Sequence, residues 1–195
     1  MKKVAITGGI ATGKSVILQK LMFDHYVIYS SDAIAHDVLK YEGKDEVIKF
    51  FGRDILDDNG DVNRKALGRI VFNDQEKLKR LNDIIHPYVR KRIIGIINAN
   101  PHLDVIIFEI PLLFESHMED LFDVTINIYC DIDIQIRRIM MRDGRSDDEA
   151  LKIITSQMGT FERNKRATYA IDNSGSIEDT YSKIDKIMEE ILSKE

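Results

Sequence analysis

Val4-Ala5-Ile6-Thr7-Gly8-Gly9-Ile10-Ala11-Thr12-Gly13-Lys14-Ser15 is the stretch on which the reading of this chain turns. Gly8, Gly13, Lys14 and Ser15 satisfy the pattern G-x-x-x-x-G-K-[ST] at every fixed position. Glycines there let consecutive backbone N–H groups curl around an anion, the lysine adds a point charge, and the serine hydroxyl is a Mg²⁺ ligand. A chance match somewhere in a chain of this length is on the order of one per cent, so the flanking sequence decides. Val4-Ala5-Ile6 reads as a buried strand, and Val16, Ile17, Leu18, Leu21 and Met22 form the apolar face of a helix. The stretch therefore predicts strand, phosphate loop and helix, with Gly8, Gly9, Gly13, Lys14 and Ser15 gripping a nucleoside triphosphate.

Around this loop, 195 residues make one domain with room for inserted lids. A content of 44% hydrophobic and 31% charged residues is that of a soluble globular protein, and no apolar run is long enough to cross a bilayer. Lys2-Lys3 resembles a basic leader only until Thr7 and the glycines interrupt the apolar run, so no targeting segment is expected. The single cysteine, Cys130, excludes an internal disulfide and a Cys-based zinc cage, which predicts a reducing, cytoplasmic setting. A net charge of −5 argues against a general nucleic-acid binder. Against that acidic background, Arg137, Arg138, Arg142 and Arg145 crowd one stretch, and Arg163, Lys165 and Arg166 another. Such concentrations fit a small, highly anionic ligand; the alternative is solvated helix faces balanced by Asp143, Asp147, Asp148 and Glu149.

Five apolar runs, Val4 to Ile6, Val27 to Tyr29, Val105 to Phe108, Val124 to Tyr129 and Tyr169 to Ile171, alternate with helical patterns. That alternation predicts a parallel sheet covered by helices, an α/β fold of the three-layer phosphate-loop type. Ile177, Tyr181, Ile184, Met188 and Ile191 predict a closing helix capped by Ser176 and Asp179, and Ser146 with Glu149 caps a helix bearing Leu151, Ile154 and Met158. Residues 41 to 100 exceed a simple crossover and predict a helical insertion, whose stripe Leu78, Leu81, Ile85 meets His86-Pro87, where proline should start, kink or break a helix. Asp57-Asp58-Asn59-Gly60-Asp61 fails the EF-hand spacing and reads as a solvated turn.

Phosphoryl transfer needs a phosphate cradle, a metal, cations for the migrating charge and a carboxylate for the acceptor's proton. Lys14 is the candidate for the β- and γ-phosphates, and Ser15 with Glu109, at the end of the third strand, for Mg²⁺; Glu109 reads equally as a strand-end acid. Asp32 in Ser30-Ser31-Asp32 follows the second strand, at the edge where α/β proteins bind ligands, and is a candidate to accept a substrate hydroxyl's proton or to help place Mg²⁺; helix capping by Ser31 and Asp32 is the structural alternative. Arg142 and Arg145 lie where a lid over residues 137–166 would close on the phosphates. Metal-hydrolase, thiol-enzyme, dehydrogenase and GTPase readings fall for lack of their motifs, the last because Asn164-Lys165-Arg166-Ala167 lacks the final aspartate of N-K-x-D. A kinase for another small hydroxyl acceptor and a non-catalytic nucleotide-binding protein stay open.

Beyond the loop, Leu81-Asn82-Asp83-Ile84-Ile85-His86-Pro87, Pro111-Leu112-Leu113-Phe114-Glu115, Gln135-Ile136-Arg137-Arg138, Arg142-Asp143, Gln157, Lys165-Arg166 and Ile171-Asp172-Asn173-Ser174-Gly175 resemble the dephospho-CoA kinase family end to end. The resemblance implies a nucleoside monophosphate kinase-like fold and transfer of the γ-phosphoryl group of ATP to the ribose 3′-hydroxyl of dephospho-CoA, the last step of coenzyme A biosynthesis. It implies ATP and dephospho-CoA as partners, Mg²⁺ as cofactor, and no membrane or nucleic-acid partner. It further implies Asp32 as base, Ala11, Thr12, Gly13, Lys14, Ser15 and Val16 as the ATP loop, and Arg142 as a lid arginine. His86, Leu113 and Glu115 are implied on the acceptor side, and Asn173 near the adenine. Ala11 stands where the family usually has glycine, Val16 where Thr or Ser is common, Glu109 where Asp is frequent, and Thr168-Tyr169 where Ala-Asp is common; activity is expected to survive these departures.

Overall fold

The computed structural model describes residues 1–71 and 73–193. In chain order these form β1 (Lys2–Gly8), α1 (Lys14–Phe23), β2 (Ile28–Ser30), α2 (Ser31–Lys40), α3 (Lys44–Phe51), α4 (Arg64–Val71), α5 (Gln75–Ala99), β3 (Val105–Glu109), β4 (Val124–Tyr129), α6 (Ile132–Asp143), α7 (Asp147–Thr155), α8 (Thr160–Arg166), β5 (Tyr169–Asp172) and α9 (Ile177–Ser193). All five predicted strands are present, each within two residues of its predicted ends. Two compact units result, one of residues 1–29 with 100–195 and one of residues 30–99.

The first unit holds the sheet, in the order β2-β3-β1-β4-β5. β1 runs parallel to both β3 and β4, and β4 parallel to β5, so the strand that delivers the phosphate loop is the central one. The near-continuous apolar runs reflect burial on both faces. Val4 and Ile6, Val105 and Ile107, and Ile126 and Ile128 meet Ile17, Leu18 and Leu21 of α1 and Ile184, Met188 and Ile191 of α9. Residues of the other parity, Ala5, Ile106 and Phe108, are equally buried, and Phe108 stacks on Tyr29 with ring centroids 5.4 Å apart.

Helix ends follow local chemistry. Ser146 Oγ accepts from the Glu149 amide while Glu149 accepts from the Ser146 amide, the reciprocal box expected for α7. At α9 only half of that device forms: Ser176 Oγ accepts from Asp179 N at 3.1 Å, and the Asp179 carboxylate pairs with Lys183 at 2.6 Å. The cap of α2 is Ser30 rather than Ser31, and its side chain makes no capping bond.

Unit two is helical and spans residues 30–99, so α2 and Asp32 belong to it. Its interior is built from Val38, Val47, Ile55, Leu67, Ile85, Val89 and Ile93. Pro87 does not interrupt α5, which runs 25 residues through it. Proline removes one amide donor and crowds the carbonyl four residues earlier, yet Ile84 and Ile85 before it and Val89 and Ile93 after it are all buried on the continuing helix. The Asp57–Asp61 segment is a turn: Asp57 Oδ1 accepts from the amides of Asn59 and Asp61, both at 2.9 Å, and Gly60 takes φ +77°.

Candidate functional site

The loop from Gly8 to Gly13 is held by its carbonyls. Lys14 Nζ donates to Gly8 O at 2.7 Å and Gly9 O at 2.9 Å, and Thr12 Oγ1 also donates to Gly9 O. Gln135 Nε2 donates to Ile10 O at 2.8 Å, Arg138 Nη1 to Ala11 O at 3.1 Å, and Asn173 Nδ2 to Thr12 O at 2.8 Å. Every carbonyl from Gly8 to Thr12 is thus engaged by a donor. Fixing the carbonyl of a planar peptide also fixes the N–H on its other side, so the amides are oriented before any anion arrives, the condition for electrostatic preorganisation. Ile10 N is the exception, since it donates to Gln157 Oε1 at 2.9 Å.

Glycine is needed at two of these positions for space. A side chain at Gly8 would lie 2.3 Å from the Ile128 carbonyl oxygen, and one at Gly13 would lie 2.0 Å from Asn173 Nδ2. Gly13 also takes φ +91°, as does no β-branched residue comfortably. Ala11, the loop's departure from the family pattern, has φ +57°, a left-handed conformation in which a Cβ costs about 1–2 kcal/mol.

A cavity of about 650 Å³ opens over the loop and is lined by Ala11, Gly13, Lys14, Ser15, Val16, Glu109, Arg138, Met141, Arg142, Asn173, Gly175 and Ile177. Eight of the residues expected at a nucleotide site therefore share one cavity: Ala11, Gly13, Lys14, Ser15, Val16, Glu109, Arg142 and Asn173. β1 supplies the loop, β3 ends in Glu109, paired in register with Ile6, and α6 carries Arg138, Met141 and Arg142. Arg142 is exposed and chelated by its neighbour, with Nε and Nη2 at 2.7 and 2.8 Å from the Asp143 carboxylate. That hydrogen bond holds the Asp143 carboxyl below its ordinary range, with Arg145 adding a weaker pull through its charge. Arg145 itself, on the link between α6 and α7, is exposed and does not line the cavity.

Behind the loop stand residues to which the sequence had given other parts. Arg163 of α8 is 3% exposed, and its Nη2 donates to Glu115 Oε1 at 2.7 Å. Burial pushes the Glu115 carboxyl up, but the Arg163 hydrogen bond, its own backbone amide, the guanidinium charge and the Met158 amide outweigh it and hold the group below the usual range, ionised. Arg166 pairs with Glu119 and lies over the Phe114 ring at 4.8 Å. The second basic cluster thus contributes two structural ion pairs, and Leu113 is a fully buried core residue. Cys130 is buried, which pushes its thiol up against the pull of the Arg138 charge, as expected of a packing residue. Asp32, exposed in the first turn of α2, and His86, half-buried on α5, belong to the helical unit.

Gln135, Arg138 and Gln157 stand in the family-like segments and Arg138 and Arg163 in the basic clusters, but their place against the loop was not read from the sequence. Their partners lie 125 to 147 residues away for the three that bond the loop directly, so no local pattern announces them.

Three comparisons bear on this site. The family model described as dephospho-CoA kinase matches residues 2–179. Dephospho-CoA kinases of Fusobacterium nucleatum and Carboxydothermus hydrogenoformans are 39% and 42% identical, covering 96% and 95% of this chain and 97% and 92% of their own. Among solved structures, a Thermus thermophilus protein superposes with a TM-score of 0.82 at 32% identity, covering 97% of each chain. The dephospho-CoA kinase of Campylobacter jejuni does so at 0.75 and 31%, covering 97% of this chain and 96% of that one. A loop with its carbonyls tied back, a cavity of basic and acidic groups over it, and these matches along nearly the whole chain lead to one assignment: the chain belongs to the dephospho-CoA kinase family, whose members are ATP-dependent phosphotransferases.

Proposed function

We propose that this protein transfers the γ-phosphoryl group of ATP to the ribose 3′-hydroxyl of dephospho-CoA, giving CoA and ADP in the cytoplasm. The observation that carries the donor half is the convergence of Lys14, Ser15, Glu109, Arg138 and Arg142 on one cavity above a preorganised loop. Lys14 and the amides of the loop and of the α1 N-terminus bind the β- and γ-phosphates. Ser15 Oγ and the Glu109 carboxylate fit Mg²⁺, because that ion takes one or two protein oxygens and fills its remaining positions with phosphate oxygens and water. Bound there, Mg²⁺ neutralises phosphate charge.

The apolar edge of the cavity suits the base. Met141 is 88% exposed and Ile177 52% exposed, two large apolar side chains that a flat heteroaromatic ring would cover, with the Asn173 to Gly175 backbone beside them. Arg142 completes the charge around the transferring group once it exchanges its Asp143 partner for phosphate oxygens. Asp32 accepts the 3′-hydroxyl proton as the bond to phosphorus forms, while the β–γ bridging oxygen leaves with ADP. His86 and Glu115 serve the acceptor in the family-based reading.

The acceptor is tested by following ADP release from Mg-ATP with dephospho-CoA, a nucleoside monophosphate, shikimate or gluconate in separate reactions. Release that depends on dephospho-CoA is expected. Release that depends on one of the others instead would assign a different kinase, and nucleotide binding with no acceptor-dependent release would favour a non-catalytic protein.

A further inference from the structure

The pair formed by Glu115 and Arg163 sits against the phosphate loop. A Cβ added at Gly9 would lie 2.9 Å from Arg163 Nη1, 3.2 Å from Gln135 Nε2 and 3.5 Å from Gln157 Oε1, so three side chains close on one glycine. Two of them then take hold of the next peptides, Gln157 through Ile10 N and Gln135 through Ile10 O. Gln157 is followed directly by Met158, whose amide donates to the same Glu115 oxygen that accepts from Arg163. Glu115 thereby fixes both the arginine and the backbone step that presents Gln157. An arginine this buried is costly unless its charge is compensated, and Glu115 is the carboxylate paired with it.

From this connectivity we propose that Gln157 and the Arg163–Glu115 pair are positioning residues for the phosphate loop, so that Glu115 acts on the nucleotide side of the reaction. The inference rests on the kinase reading for its substrates but departs from the acceptor-side role that the family resemblance gives Glu115. Gln157 fixes the Gly9–Ile10 peptide through its N–H, Gln135 fixes the following peptide through the Ile10 carbonyl, and Arg163 fills the space that the missing Gly9 side chain leaves.

The test compares wild-type protein, Gln157→Ala and Glu115→Gln. KM is measured for ATP and for dephospho-CoA, and ADP binding is measured by calorimetry without acceptor. Gln157→Ala should raise the ATP KM and the ADP Kd about fivefold, the loss of one neutral hydrogen bond. Glu115→Gln should raise both about tenfold or more, because a charge-assisted bond is lost. The dephospho-CoA KM should stay within twofold in both variants, a split that general loosening of the fold would not produce. A raised dephospho-CoA KM with ATP and ADP unaffected would overturn the proposal, as would no change in any of the three. Gln157 is only half-buried, so its variant decides the matter if Glu115→Gln does not fold. ADP binding needs no acceptor, so an unaltered ADP Kd in Gln157→Ala overturns this inference whatever the assay says about dephospho-CoA, and failure of dephospho-CoA alone overturns only the acceptor assignment.

Discussion

Ala11 is the residue where composition and conformation disagree. Its φ of +57° belongs to glycine, and the Arg138 bond to its carbonyl at 3.1 Å helps hold it there. Ala11→Gly removes a Cβ penalty of about 1–2 kcal/mol and returns part of it as unfolded-state entropy. A net gain of about 0.5–1 kcal/mol, or about 2 °C in Tm for a chain of this size, is expected in thermal unfolding; a lower Tm would mean the alanine methyl makes contacts worth more than the strain. Asp32→Asn keeps the size of the side chain and removes the base. Turnover should fall by about 10²-fold or more, with the Kd for ATP unchanged, and near-normal turnover would take Asp32 out of the mechanism. The motif glycines, lysine and serine were legible because each answers to a local requirement of an anion cradle. The loop contacts of Gln135, Gln157 and Arg163 were not, since only the fold brings these residues near their partners.

Strands announced themselves because β-branched residues recur in short runs buried on both faces, and the box at Ser146 was visible as a four-residue pattern with both bonds formed. Proline misled in α5 because a local rule met a tertiary one. Pro87 denies the ladder one donor, but two buried side chains on each side, Ile84 and Ile85 before it and Val89 and Ile93 after it, keep the helix in one piece. Pro87→Ala restores that donor, and allowing for the entropy the proline saves in the unfolded chain, the variant should be more stable by about 2 kcal/mol. Urea unfolding followed by circular dichroism measures it; a lower midpoint would show that the proline shapes α5 for packing.

For the whole molecule, the order β2-β3-β1-β4-β5 puts the loop-bearing strand in the middle, and one cavity gathers residues from the loop after β1, α1, β3, α6, the segment after β5 and the start of α9. That several of the expected residues share one cavity follows from their places at or after the ends of the predicted strands. The helical unit opens at residue 30, where the chain passes from β2 into α2 without a linker. No described helix is long and apolar enough to cross a membrane. The most direct test of the central claim is the product. Protein, Mg-ATP and dephospho-CoA are incubated, and ADP and the phosphorylated product are quantified by ³¹P NMR. One ADP per new phosphomonoester on the ribose 3′-oxygen is the predicted result; ADP without that phosphomonoester, or a phosphate on another atom, would contradict it.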